Sequence, residues 1–433
     1  MTIKKIVVII FLGIFLLTSK SFAQSESLQA VEEPFADSVE KKSSVVNKTS
    51  AKNSKSSTKN RTNDRDKKRK SEKETEKAPI PVDEPFQEPK PDPIPEIKKP
   101  SENLEDGAGL EFLMYNANGI QAFAVIADHE RYKLRPIIAQ HQIKGRSTVL
   151  QMAGELNDIA TINAGYFDAD GSLFGVTKVD GLIVSSDYFT RSAIGINSDG
   201  STIFGQVQYS GAVLYNGETI FISGVNCTRE ENSLVVYNEY YSPTTGTNNF
   251  GIEIIEQDGI IIEIHRHKGN NAIPKGGHVI SAHGSMAENF VYAKVGDEII
   301  FQESIDSEDA DFNSAVHVLG AGPRLVRDGR IFVTAADEKF PSDISVGRAP
   351  RSAVGVTKYG DYIFAVVDGR QAHSKGCTLQ EWANILLNNF GAFNAINLDG
   401  GGSTELTVKD KLVNSPSDGR ERAVGSALTI LPK

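Results

Sequence analysis

Val326-Arg327-Asp328-Gly329-Arg330-Ile331, followed by Arg351-Ser352-Ala353-Val354-Gly355-Val356, echoes an earlier pair: Val179-Asp180-Gly181-Leu182-Ile183 and Arg191-Ser192-Ala193-Ile194-Gly195-Ile196. Both times an Asp-Gly turn, a loop and then Arg-Ser entering an apolar, β-branched run follow in the same order, the pattern of a hairpin and a further strand. We read two related β-rich halves packed into one unit, with Arg191 and Arg351 in comparable positions. Two copies at so long a spacing do not suggest a solenoid. Two unrelated hairpins would read alike, so topology is the test.

Outward from these pairs the pattern continues. Ala122 to Ile126, Ile252 to Glu256 turning at Asp258-Gly259 into Ile260 to Ile264, and Tyr362 to Val367 are short β-branched or aromatic runs ended by turn residues. Two segments read as helices. Ser147 to Leu156 opens with a Ser able to cap it. Thr378 to Phe390 carries Thr378 with Glu381 three residues on, a capping-box spacing. Leu379, Trp382, Ala383, Leu386 and Leu387 recur at helical spacing, so that face, Trp382 included, belongs to the core. The expectation is an α+β fold over residues 107–433: a single β-rich domain of mixed twisted sheets built from two related halves, with a few packed helices.

Upstream, residues 1–23 read as a signal peptide, with Lys4 and Lys5 before the apolar run Ile6 to Leu17 and small residues at Ser21 and Ala23. That run is shorter than the roughly 20 residues a spanning helix needs. Residues 24–106 lack apolar periodicity and read as a disordered linker, first basic and then Pro-rich; Pro79 to Pro100 holds 8 of the chain's 17 prolines. The cluster Lys67-Lys68-Arg69-Lys70 could make weak contact with an anionic surface. These features predict a periplasmic or secreted domain on a tether.

A net charge of -10 argues against a nucleic-acid partner. Cys227 and Cys377 are too few for a disulfide framework or a thiolate metal site; they could pair once or lie apart. His265 and His267 lack a third ligand at supporting spacing, so no metal residues are assigned. No cofactor is firmly implied, and divalent-ion assistance is left open.

Asn394-Ala395-Ile396-Asn397-Leu398-Asp399-Gly400-Gly401-Gly402-Ser403-Thr404 is the stretch richest in chemistry. A buried strand delivers Asp399 at the sheet edge. Gly400, Gly401 and Gly402 can present amides to an anion, and Ser403 and Thr404 add hydroxyls. No Gly-Lys-Ser/Thr follows, which disfavours nucleotide hydrolysis. Val367-Asp368-Gly369-Arg370 repeats the strand-then-Asp-Gly design, so Asp368 is the second carboxylate that glycoside hydrolysis ordinarily uses beside Asp399. Arg348 and Arg351 offer planar guanidinium forks suited to phosphate. Asn163 and Asp168, in Asn163-Ala164-Gly165-Tyr166-Phe167-Asp168, can orient hydroxyls, and Tyr166 or Phe167 can stack on a sugar. His373 could protonate a leaving group. Ser417 to Arg422 borders the cleft or forms a salt-bridged turn.

The order of these motifs, with Gly320-Ala321-Gly322-Pro323-Arg324-Leu325 and Gly376 to Ala383, resembles the phosphodiester glycosidase family. The resemblance covers about Gly109 to Leu431. It implies hydrolysis at the anomeric carbon of a sugar joined to phosphate, with Asn163, Asp168, Arg351, Asp368, Asp399 and Ser403 around the pocket. Ala164 stands where the family commonly has a second Gly, and its methyl could narrow the pocket. The expected substrate is an N-acetylglucosamine-1-phosphodiester-like bond in envelope or extracellular glycans. The competing readings are a glycosidase acting on non-phosphorylated glycans and a non-catalytic polysaccharide-binding module.

Overall fold

The computed structural model describes residues 109–433 apart from 157, 187, 188 and 410. The signal peptide and the linker expected upstream lie outside the described residues. Four sheets make up the domain. Pairing is antiparallel except for one short parallel ladder between Gly224–Val225 and Leu234–Tyr237, so the expected mixed character rests on that ladder alone.

The internal repeat is present in the topology. In one sheet the order runs Leu182–Ser185, Thr177–Val179, His317–Gly320, Arg191–Ile196, Thr202–Tyr215. In another it runs Arg330–Ile331, Arg324–Arg327, Asn394–Asn397, Arg351–Val356, Tyr362–Val367. In both, a hairpin lies beside a strand from later in the chain, which lies beside the Arg-Ser strand. Ala193 pairs with Gly320 in the first half and Ala353 with Asn397 in the second. Two residues farther on, Gly322 is therefore the counterpart of Asp399.

Strand Tyr362–Val367 shows how period-2 alternation assembles the layers. All six residues are buried. Tyr362, Phe364 and Val366 join a core with Ile162, Ile194, Leu398 and Leu428, and Ile363, Ala365 and Val367 face a second core containing Trp382 and Leu386. The sheet is covered on both sides, which explains its near-continuous apolar runs. The second core is closed by the helix Leu379–Asn388, where Thr378 and Glu381 form the anticipated capping box. Thr378→Ala is expected to lower stability by about 1 kcal/mol in a denaturant titration.

Trp382 is fully buried, as its helical spacing required. The other helix is shorter than expected, Val149–Ala153, and its cap is Thr148, which pairs with Gln151; Ser147 instead bridges to Val424. Cys227 and Cys377 are both free thiols.

Candidate active site

Asp399 follows the end of strand Asn394–Asn397, and neighbouring strand ends hold it there. Its amide donates to Ala164 O at 2.9 Å, and Asn163 Nδ2 donates to its carbonyl at 2.7 Å. Asn163 is itself buried. Its Oδ1 accepts from Ser352 Oγ at 2.6 Å and from Glu405 N at 3.1 Å. One amide side chain thus ties together three segments distant in sequence. The Ala164 methyl points into the core, so it shapes packing beneath the site and not a pocket wall.

Burial is the largest influence on the Asp399 carboxyl. The Ser403 hydroxyl, the Gly400 amide and the Arg422 charge oppose it, and the group is left raised from 3.8 to about 6. The glycine run has a different use from the expected amide cradle. Gly400 N donates to Asp399 Oδ1 at 2.9 Å, and Gly401 N donates to Pro350 O at 2.9 Å. Two of the three amides are therefore committed within the protein. What the glycines provide is closeness: a Cβ on Gly402 would overlap the Arg422 guanidinium, and Gly401 sits at φ +62° against Arg370. Arg422 is held by Asp418 at 2.6 Å and reaches Ser403 Oγ at 3.4 Å, so the Ser417 to Arg422 turn is both salt-bridged and part of the site.

Arg351 is 2% exposed and donates to the carbonyls of Ile344 and Gly347. Burial lowers its pKa, and the Tyr166 hydroxyl is among the groups that oppose this. Tyr166 connects the elements further. Its hydroxyl donates to Gly322 O at 3.0 Å and accepts from Asn397 Nδ2 at 3.1 Å. Burial, then the charge of Asp399, holds its phenol far above the usual range, and Glu338 adds to this. Its ring lies against Phe340, not on an open face for a sugar.

The other expected groups have structural occupations. Asp368 is 2% exposed, and both its oxygens are engaged: Oδ2 with His373 Nε2 at 3.0 Å, Oδ1 by Ser415 N at 2.9 Å and Asn414 Nδ2 at 3.3 Å. Asn414 also donates to Thr404 O at 2.9 Å. Asp368 therefore braces the loop beneath the glycine run and does not stand free beside Asp399. Thr404 is buried, and its hydroxyl lacks a partner. Arg348 is ion-paired with Glu381, the capping-box residue, and also donates to Gly376 O. Asp168 is exposed, and its Oδ1 accepts from Ala169 N within its own turn.

Three residues without an expected role take part. Arg370 lies at the end of the Asp-Gly-Arg turn with φ 58°. Its guanidinium nitrogens are 3.4 and 3.5 Å from where a Cβ on Gly401 would stand, and among the described residues it has no hydrogen bond or ion pair. Glu405 is fully buried; burial raises its carboxyl to about 8, and it anchors Arg422 N at 2.7 Å. Glu338, 4% exposed, accepts from Ser192 N and Oγ at 2.8 and 2.7 Å and from Arg324 N at 3.2 Å. Only Arg370 had a visible signal, the recurring Asp-Gly-Arg triplet.

Cavities of about 660, 420 and 190 Å³ are lined by none of Asp399, Asp368, Arg348 or Arg351. The only grouping of metal-ligand type among the described residues, Asp128, His129 and Asp361, lies at the other end of strand Tyr362–Val367 from Asp368. The Asp399 cluster brings together one carboxyl, two guanidiniums, a hydroxyl and a phenol.

A solved structure of a hypothetical protein from Synechocystis matches this fold with a TM-score of 0.65 and 25% identity, covering 75% of this chain and 62% of that one. An uncharacterized protein derived from the SPbeta prophage of Bacillus subtilis (strain 168) is 42% identical over 89 residues, 21% of this chain and 14% of that protein. The N-acetylglucosamine-1-phosphodiester alpha-N-acetylglucosaminidase of Bos taurus is 31% identical over 165 residues, 34% of this chain and 29% of that protein. The chain therefore spans less than a third of the length of either curated relative. Over residues 249–431, the stretch that carries Arg351, Arg370, Asp399 and Arg422, it matches the phosphodiester glycosidase family model, the family its motifs resemble.

Proposed function

We propose that this domain hydrolyses the bond between a sugar's anomeric carbon and the oxygen of a phosphodiester, with Asp399 as the essential carboxyl. The observation that carries this reading is an Asp399 carboxyl raised to about 6 and facing the Arg422 charge, at the head of a glycine run whose Gly401 lies against the unpaired Arg370 guanidinium. A phosphodiester is already a good leaving group, so little protonation is required. What the reaction needs is a base for water and positive charge for the departing phosphate.

Ionised Asp399 takes the proton from water as the water oxygen bonds to the anomeric carbon. The carbon–oxygen bond to phosphate breaks, and its electron pair leaves on the phosphate monoester. Arg370 and Arg422 offset the charge that gathers there, the strong class of hydrogen bond for such an oxyanion. Ser403 orients the carboxyl, while Asp368, Asn414 and Glu405 hold the surrounding loops. Substrates from envelope or extracellular glycans accord with the apolar run near the N-terminus.

Incubating the purified chain with an N-acetylglucosamine-phosphoryl-methyl diester and assaying free sugar tests the proposal. Because the base must be ionised, kcat is expected to fall as pH drops through about 6; a rate that stays flat to pH 4 would exclude Asp399 as the base. Arg370→Ala is expected to lower kcat/KM by about 10- to 100-fold, the size of one lost charged hydrogen bond. Arg348→Ala, which removes the Glu381 pair and a hydrogen bond to Gly376 O, should leave it within about threefold. The reverse ranking would return the phosphate contact to Arg348.

A further inference from the structure

The two halves of the repeat treat the position of Asp399 differently. Its counterpart is Gly322, and a Cβ there would lie 2.6 Å from Glu338 Oε2. A carboxylate from another segment therefore occupies the place that the Asp399 side chain holds in the second half. Ser192, counterpart of Ser352, binds that carboxylate through both its amide and its hydroxyl. Arg324 and Thr334 complete its shell.

Ser192, Arg324 and Thr334 also form one wall of the 660 Å³ cavity. A carboxylate in the repeat-equivalent position thus lies behind a hollow of a size suited to a small ligand. The rest of the lining indicates the ligand's chemistry. Asp306, Glu308, Asp309 and Asp337 outnumber Arg324 and Arg327, and Arg327 is paired with Asp309 at 3.3 Å, so the field opposes an anion. Gln206 and Gln208 supply amides. Phe332 is 44% exposed, with the Arg327 guanidinium 5.5 Å from its ring centre. Acceptors in excess, paired amides and one open aromatic face match an uncharged, hydroxyl-rich ring.

We infer that this cavity is a second saccharide subsite that holds an uncharged sugar of the glycan, separate from the phosphate-binding Asp399 cluster. The inference rests on the proposed glycan substrate, but its binding readout is independent of turnover. The probe is tri-N-acetylchitotriose, titrated into the full chain by calorimetry and by NMR. Binding with a Kd of about 1 mM is expected, weakened at least about tenfold by Phe332→Ala, or about 1.4 kcal/mol. Gln208→Ala should weaken it severalfold. Asp399→Asn should bind as the wild type does, and inorganic phosphate should not compete.

Phe332→Ala should hydrolyse the small methyl diester within about twofold of wild type, which also certifies its fold. No binding up to about 10 mM, equal binding by Phe332→Ala, or competition by phosphate would each overturn the subsite. Inactivity toward the diester with trisaccharide binding intact would instead refute the hydrolytic reading and leave the subsite standing.

Discussion

Asp399→Asn is expected to reduce free-sugar release from the phosphodiester by about 10³-fold or more while leaving the fold intact. The loss follows from removing the base: general-base participation contributes about 10²–10⁴, and an amide at that point has no lone pair of comparable basicity. The same substitution has an opposite effect on stability. The native carboxyl is raised above its ordinary 3.8, so the folded state takes up the proton before the unfolded chain does. Its contribution to stability is full below about pH 4 and is lost as pH rises through about 6. Asn cannot ionise. The variant should therefore melt higher than wild type at pH 8, with the difference closing toward pH 4. Parallel thermal melts across that range check the sign. A variant less stable than wild type at pH 8 would mean the carboxylate is favourably held and burial is not its main influence. Activity gained at the cost of stability is a familiar balance at functional sites.

Asn163→Ala is the second large effect. Three groups depend on this side chain: the part-buried Asp399 carbonyl and the buried Ser352 hydroxyl and Glu405 amide. The two fully buried ones, the Ser352 hydroxyl and the Glu405 amide, each lose their partner at about 1–3 kcal/mol, and the part-buried Asp399 carbonyl loses less. Because the three share one contact the costs overlap, and a total of about 3–5 kcal/mol is expected by urea denaturation. Release of the Asp399 backbone should also misplace its carboxyl and lower kcat by about 10²-fold even where the chain remains folded, since displacements near 1 Å have that effect. Loss of activity with less than about 1 kcal/mol of destabilisation would make Asn163 a direct substrate contact and not the brace of the strand ends.

The legible parts of the molecule were those in which local pattern and tertiary role coincide. The paired Asp-Gly and Arg-Ser segments marked equivalent hairpins and strands, and Thr378 with Glu381 marked a helix start, because turn and cap chemistry depend on neighbours in sequence. Asp399 stood out for a similar reason, an acid between an apolar strand and three glycines. Roles decided by distant partners were not legible. Arg348 and Arg351 look alike in Arg348-Ala349-Pro350-Arg351, yet one pairs with a helix cap and the other is buried among carbonyls. Asp368 repeats the design of Asp399, but Asn414, Ser415 and His373 occupy it. The glycine run was read for its amides, whereas its structural use is to let Arg370 and Arg422 approach. Glu338 carries no local signal at all, because its importance comes from filling space left empty at Gly322.

Which bond is cut is the most direct question to put to the account. Hydrolysis of the N-acetylglucosamine-phosphoryl-methyl diester in ¹⁸O-labelled water, followed by mass spectrometry of the methyl phosphate product, answers it. Attack at the anomeric carbon leaves the phosphate oxygens unlabelled, and that is the result expected. Methyl phosphate carrying one ¹⁸O would mean that water attacks phosphorus, contradicting the assignment of Asp399 to chemistry at the sugar.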